Sequence, residues 1–212
     1  MPPRPKYTRE QIAKAAFCMV AEDGLSALTA RGLAKRLGVS ISPIFSMFDG
    51  MEDVRQAARA LAMTDFLDYV GDLRAYTPAF KRFGLKLVSY GVNRPELFKL
   101  LFLHPRTATS SVSDFMQEQG ELLELCCGVL QQDYDLTREQ AELMVEQMMT
   151  YGFGLGAMCA MGACTLSEPE ISRRLGLMFA GTRMLMQSEK CNAPGVSAEP
   201  KNNASENQED LI

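Results

Sequence analysis

The sequence predicts an all-α protein in which three short helices precede a larger helical body. Three observations carry this. Apolar residues recur at three- and four-residue spacing along most of the 212 positions, and no segment alternates as a strand does. Thr or Asp repeatedly stands three residues ahead of Gln or Glu, the reciprocal cap of a helix start. Gly24 and Gly38, and the prolines at 43, 78, 95 and 169, punctuate the periodic runs where helices end or begin.

The elements follow in order. Thr8 and Gln11 make a capping box before Ile12, Ala15, Ala16, Met19 and Val20, and Gly24 ends that run. Thr29 caps a short helix with Leu33, Ala34 and Leu37 on its inner face, which Gly38 breaks. Ser40 or Ser42 caps a third, with Pro43 in the first turn and Ile44 and Phe48 as its buried stripe. Asp49 and Glu52 then start one long helix over residues 51–74. Further helices are expected from Thr77-Pro78 to about Val92, from Arg94-Pro95 through Leu103, and over 113–132, after a Thr/Ser-rich loop at 106–112. Thr137 with Gln140 opens another that runs to Cys164, and Ser167 with Pro169 opens the last, to about Lys190. Residues 191–212 offer almost nothing to bury and read as a disordered tail.

Composition narrows the function classes. At 47% hydrophobic and 23% charged, the chain is neither disordered nor collagen-like, and six Cys are too few for a disulfide scaffold. No apolar run follows Arg4 and Lys6, so no secretory signal is expected. The uncharged stretch from Gln147 to Ser167 is strongly apolar only over Tyr151 to Cys164, short of the roughly 20 residues a membrane span needs. A cytoplasmic chain with no membrane partner is expected. The net charge of −4 divides into +3 over residues 1–50 and −7 over the rest, so only the head is suited to a polyanion.

The stretch from Ala27 to Phe48 has the mechanics of a helix-turn-helix: an inward-facing first helix, a tight turn at Gly38, Val39 plugging the angle, and a second helix whose far side meets solvent. Such a unit lays its second helix in the major groove of DNA. Spacing alone does not separate it from any other corner between two helices.

The segment Tyr7 to Val54 resembles the N-terminal domain of the TetR family of transcriptional regulators. The resemblance rests on the Ile12-to-Gly24 helix, on Leu28-Thr29-Ala30-Arg31-Gly32-Leu33-Ala34, on Leu37-Gly38-Val39-Ser40, and on Ile44, Phe45 and Phe48. It implies a three-helix DNA-binding domain with a helix-turn-helix at 1–50, extending in family terms to about residue 68. A helical ligand-binding and dimerisation domain would occupy 51–190. The implied partners are a double-stranded DNA operator, a second copy of the chain through the last two long helices, and a small apolar effector.

Carried over by position, Thr29 meets a phosphate and Arg31 a base or phosphate, Arg being well suited to either. Ser40, Ile41, Ser42 and Pro43 face the groove floor, while Phe45, Ser46 and Met47 lie along the backbone wall. Where the family commonly has Tyr, His and Lys, this chain has Phe45, Met47 and Met51, none of which donates to a phosphate. The basic residues Arg4, Lys6 and Arg9 and the pair Lys35-Arg36 are the expected compensation. For the effector cavity the candidates are Phe66, Phe80, Phe83, Tyr90, Phe115, Met116, Met148 and Tyr151.

Other features point elsewhere less strongly. His104, the single histidine, has no acid or nucleophile at readable spacing, so no enzyme is expected. The glycines from 152 to 156 follow no strand, which removes the context of a phosphate loop, and Gly152 and Gly156 instead suit close helix packing. None of the Cys residues has zinc-site spacing, and no metal or cofactor is expected. Cys159 and Cys164, five apart on one expected helix, would point about 140° away from a shared face. Two alternatives stay open: a thiol- or metal-responsive redox sensor on the same scaffold, and a dimeric module that has lost DNA binding.

Overall fold

The computed structural model describes residues 7–104, 111, 112, 114 and 120–192. Among them the regular elements are all helical: α1 (Arg9–Asp23), α2 (Ala30–Leu37), α3 (Ser42–Phe45), α4 (Met51–Val70), α5 (Ala79–Asn93), α6 (Pro95–Phe102), α7 (Glu121–Tyr134), α8 (Arg138–Ala160) and α9 (Glu168–Asn192). Short 3₁₀ turns fall at Leu25–Ala27 and Leu73–Ala75. The all-α expectation holds.

Local chemistry sets most boundaries where the sequence places them. Thr8 Oγ1 accepts the Gln11 N–H at 3.3 Å while Gln11 Oε1 accepts the Thr8 N–H at 2.9 Å, the reciprocal box expected for α1. Thr29 Oγ1 accepts the Gly32 N–H at 3.0 Å and opens α2. Gly38, at φ +64°, takes the left-handed turn that ends it. Three expectations need correction. Neither Ser40 nor Ser42 caps α3; Ile41 precedes it with an already helical backbone, and Ser42 and Pro43 form the first turn. Asp49 and Glu52 do not share a capping box, because Asp53 Oδ2 takes the Asp49 N–H at 3.1 Å and Glu52 turns to Arg55 and Arg59. The long fourth helix stops at Val70 rather than Arg74, since Gly71 (φ +71°) turns the chain and Asp72 caps the following 3₁₀ turn.

The helix expected through Cys164 also stops early, at Ala160. α9 reaches Asn192, two residues beyond its expected end and into the predicted tail. The predicted loop at 106–110, residues 113 and 115–119 of the expected 113–132 helix, and the tail from 193 lie outside the described residues.

One continuous apolar core joins the head, α1 to α3, to the body. In the head, Ile12, Ala16, Val20, Leu33, Leu37, Ile44 and Phe48 pack against Val54 and Ala58 of α4, all buried. Each large aliphatic side chain buried this way stabilises the head by roughly 1.5–3 kcal/mol. In the body, α5 packs more extensively on α8 than on any other element. Their backbones nearly touch: a Cβ on Gly91 would lie 2.5 Å from Gly156 O, and one on Gly156 would lie 2.6 Å from the Phe98 ring. A Cβ on Gly152 would press on Leu87 at 3.1 Å. Gly152 and Gly156 thus admit a neighbouring helix as expected, with Gly91 as the partner.

Candidate nucleic-acid interface and apolar cavity

Two devices hold the short α3 rigid. Its inner side buries Ile44 and Phe48, with Ile41 and Met47 half-buried against the same core. Arg9 then clamps its far end: the guanidinium lies over the Phe48 ring at 4.1 Å and donates to the Met47 carbonyl and to both oxygens of Asp53. Hydrogen bonding from Arg9 and from the Asp49 amide holds the Asp53 carboxyl below its usual range. Tyr7 adds a strap, its hydroxyl donating to Leu37 O at 2.8 Å. The short helix is therefore fixed from α1 and α4 at once.

What remains outside is the expected flank. Ser40, Ser42 and Ser46 are exposed, Phe45 is 43% exposed, and Pro43 is half-buried. Thr29 and Arg31 are exposed at the start of α2, and Arg31 and Lys35 have no hydrogen-bond or ion-pair partner among the described residues. Of the sequence-predicted set, Ile41, Pro43 and Met47 are half-buried and the others are exposed. The expected compensation by Arg9 and Arg36 is not available. Arg9 is spent on Asp53 and Met47, and Arg36 pairs with Glu22 at 2.7 Å and Asp23 at 3.3 Å. Arg4 and Lys6 lie outside the described residues, which leaves Lys35 from that list.

The body holds a small apolar cavity of about 80 Å³ between α5, α8 and α9. Phe80, Phe83 and Met148 line it as the sequence predicts. Leu87, Met149, Leu175, Phe179 and the ring of Tyr134 complete the wall, and Lys81 is its charged member. The other candidates fall elsewhere. Phe66 and Tyr90 are fully buried in an aromatic cluster between α4, α5 and α6, with ring centroids 5.1 Å apart. The Tyr90 hydroxyl donates to Asp65 at 2.9 Å, and burial with that bond pushes its pKa above the ordinary tyrosine value. Tyr151 borders a surface cleft with Arg173, Arg174, Leu177 and Met178. Phe115 and Met116 lie outside the described residues. Leu175 and Phe179 were missed because α9 was assigned to pairing alone.

A wider cleft of about 700 Å³ opens where head meets body. Its cations are answered by its own acids: Arg55 and Arg59 by Glu52, and Lys99 by Glu96 at 2.6 Å. Glu96 also accepts the Leu25 N–H at 2.8 Å, and the Lys99 and Leu25 bonds hold its carboxyl below the usual range. This cleft is a joint between head and body rather than a receptor. Among the described residues no group of three His, Cys, Asp or Glu could hold a metal, and no helix is long and apolar enough to cross a membrane.

A three-helix head on a larger helical body is a fold found in TetR-type transcriptional regulators. Two solved structures share it over nearly the whole chain. One is a TetR-like transcriptional regulator from Rhodococcus sp. RHA1, at a TM-score of 0.60 and 15% identity, covering 88% of this chain and 99% of the other. The second is a possible TetR family transcriptional regulator from Streptomyces coelicolor A3(2), at 0.54 and 15%, covering 87% and 99%. At that identity the likeness is one of fold. No family model matches the chain, and no curated protein matches it.

Proposed function

We propose that this chain is a homodimeric, DNA-binding transcriptional repressor that leaves its operator when a small apolar molecule occupies the body. The observation that carries the reading is the outward flank of α3. It is solvent-facing, polar at Ser40, Ser42 and Ser46, and held by the core beneath it and by Arg9 so that it enters a groove without reorganising. Short hydroxyls bond to many base edges, and Ile41 and Pro43 offer apolar contact to a thymine methyl. Arg31 and Lys35, without a partner among the described residues, supply the charge that meets phosphates.

A second copy is needed because one four-residue helix reads too little DNA. A two-fold dimer sets two such helices about 34–36 Å apart, one turn of the duplex. The exposed face of α9 supports that assembly. Leu177, Ala180, Gly181, Met184 and Leu185 are exposed at helical i, i+3, i+4, i+7 and i+8 spacing, the three large ones 65–70% exposed. Met158 and Met161 at the end of α8 extend it. Two copies of α8 and α9 then form a four-helix bundle. The cavity between α5, α8 and α9 shares walls with that bundle, so a ligand that binds the two head spacings unequally shifts the dimer between them.

Gel-shift assays on the DNA upstream of the chain's own coding region, repeated with extracted cell metabolites, test the reading. The expected result is a retarded band that weakens steeply as salt rises and is released by an apolar fraction of the extract. No band, or a band indifferent to salt, overturns it.

A further inference from the structure

On a continuous helix Cys159 and Cys164 would point about 140° apart. The structure places them otherwise. α8 ends at Ala160, and Gly162 (φ +73°) reverses the chain, its N–H bonding Cys159 O and the Ala163 N–H bonding Met158 O, both at 2.9 Å. That double closure at a helix end folds the following residues back over the last turn. The two sulfurs meet at 3.8 Å. A disulfide requires about 2.05 Å. Rotation of the side chains, with a small yield in residues 161–166, which belong to no helix, closes the gap.

The surroundings favour this pair over the other neighbouring thiols. Cys126 and Cys127 are buried in α7, and burial pushes both thiols up. Cys159 and Cys164 are only half-buried, at a corner reached by solvent. Burial first, and then its bond to Cys164, push the Cys159 thiol up to about 11. Either thiol can donate toward the other sulfur, so whichever is oxidised first has its partner beside it.

We infer that Cys159 and Cys164 form an oxidative modification site, at which a hydroperoxide closes an intrachain disulfide across the corner between α8 and α9. One of the two sulfurs attacks the outer peroxide oxygen. The O–O bond breaks, an alcohol (or water) leaves with a proton, and that Cys carries a sulfenic acid. The other sulfur then attacks the oxidised one, the S–S bond forms, and hydroxide departs, taking the attacking thiol's proton to become water. Two thiols and one hydroperoxide give one disulfide, one alcohol and one water; the sulfurs lose two electrons and the peroxide oxygens gain them. The bridge pins the turn from which the last helix departs. It stands independently of the DNA-binding reading.

The test uses the full chain, exposed briefly to hydrogen peroxide, alkylated with iodoacetamide and digested with trypsin. No Lys or Arg lies between Arg138 and Arg173, so one peptide carries both sulfurs. The expected product is that peptide, unalkylated at both Cys, lighter by two hydrogens apart from any methionine oxygenation, and derived from a chain that runs as a monomer without reductant. In Cys159→Ser or Cys164→Ser the remaining thiol of the pair stops at a sulfenic acid that dimedone captures, and no bridge forms. The inference is overturned if both sulfurs still alkylate once other thiols are oxidised. Bridges joining two chains through either Cys also overturn it.

Discussion

Gly91→Ala probes the tightest seam in the body. The new Cβ would stand 2.5 Å from Gly156 O and 2.9 Å from Gly156 Cα, where ordinary contact begins near 3.4 Å. Both opposing atoms are backbone, so no side chain can swing away, and α5 and α8 must part by roughly 1 Å over their shared length. Overpacking of this kind costs about 1–3 kcal/mol, and the immovable partner puts it near 3. For a domain of this size that lowers Tm by roughly 6–12 °C, at about 2–4 °C per kcal/mol. Gly128→Ala is the matched control: it is exposed on α7 with nothing within 4 Å of the added carbon. There alanine stabilises by roughly 0.5–1 kcal/mol through helix propensity alone. Thermal unfolding followed by circular dichroism should move the two variants in opposite directions. If Gly91→Ala melts at or above the parent temperature, the close approach of α5 and α8 is not there.

Other expectations test the remaining features. Arg31→Ala should weaken operator binding by roughly 1–3 kcal/mol with unchanged size-exclusion behaviour; unaltered gel shifts would remove Arg31 from the interface. Leu185→Asp should turn the dimer into a monomer on size exclusion and abolish the retarded band, and a persisting dimer would move the interface off α9. Leu175→Phe, which narrows the cavity, should leave operator affinity intact and blunt release by metabolite extract; full release would place the effector elsewhere. Glu96 has a folded pKa below its ordinary 4.5, so its contribution is present above that pH and lost as pH falls through the depressed value. The parent should therefore exceed Glu96→Gln in stability at neutral pH, and the gap should close in acid; a gap constant down to pH 3 would refute the Lys99 and Leu25 bonds.

Much of the head was legible because its signals are local. Thr8 with Gln11, Thr29 with Gly32, and Gly38 each act within a few residues, and so does the stripe of Ile44 and Phe48. The residues that tie the head together and to the body were not, because their partners are remote. Arg9 meets Asp53 across 44 positions and Glu96 meets Leu25 across 71. Arg9 and Arg36 therefore read as free cations when both are engaged within the fold. Gly71 carried the signal that ends α4 early, and Gly162 the one that ends α8. Extending the helical ruler through Gly162 separated two sulfurs that the turn brings together. In the body, three of the eight cavity candidates, Phe66, Tyr90 and Tyr151, fall outside the wall, since aromatic content marks burial without telling a solid cluster from a lined void.

The Glu96 carboxylate has a mechanical meaning. It rides on α6, whose Leu97, Phe98, Leu100 and Leu101 are sunk in the body, so that helix travels as a stiff peg about 12 Å long. The peg's tip grips the main chain at Leu25, at the corner from which α2 sets out. The buried shank and the three-helix head are thus hydrogen-bonded at a single amide.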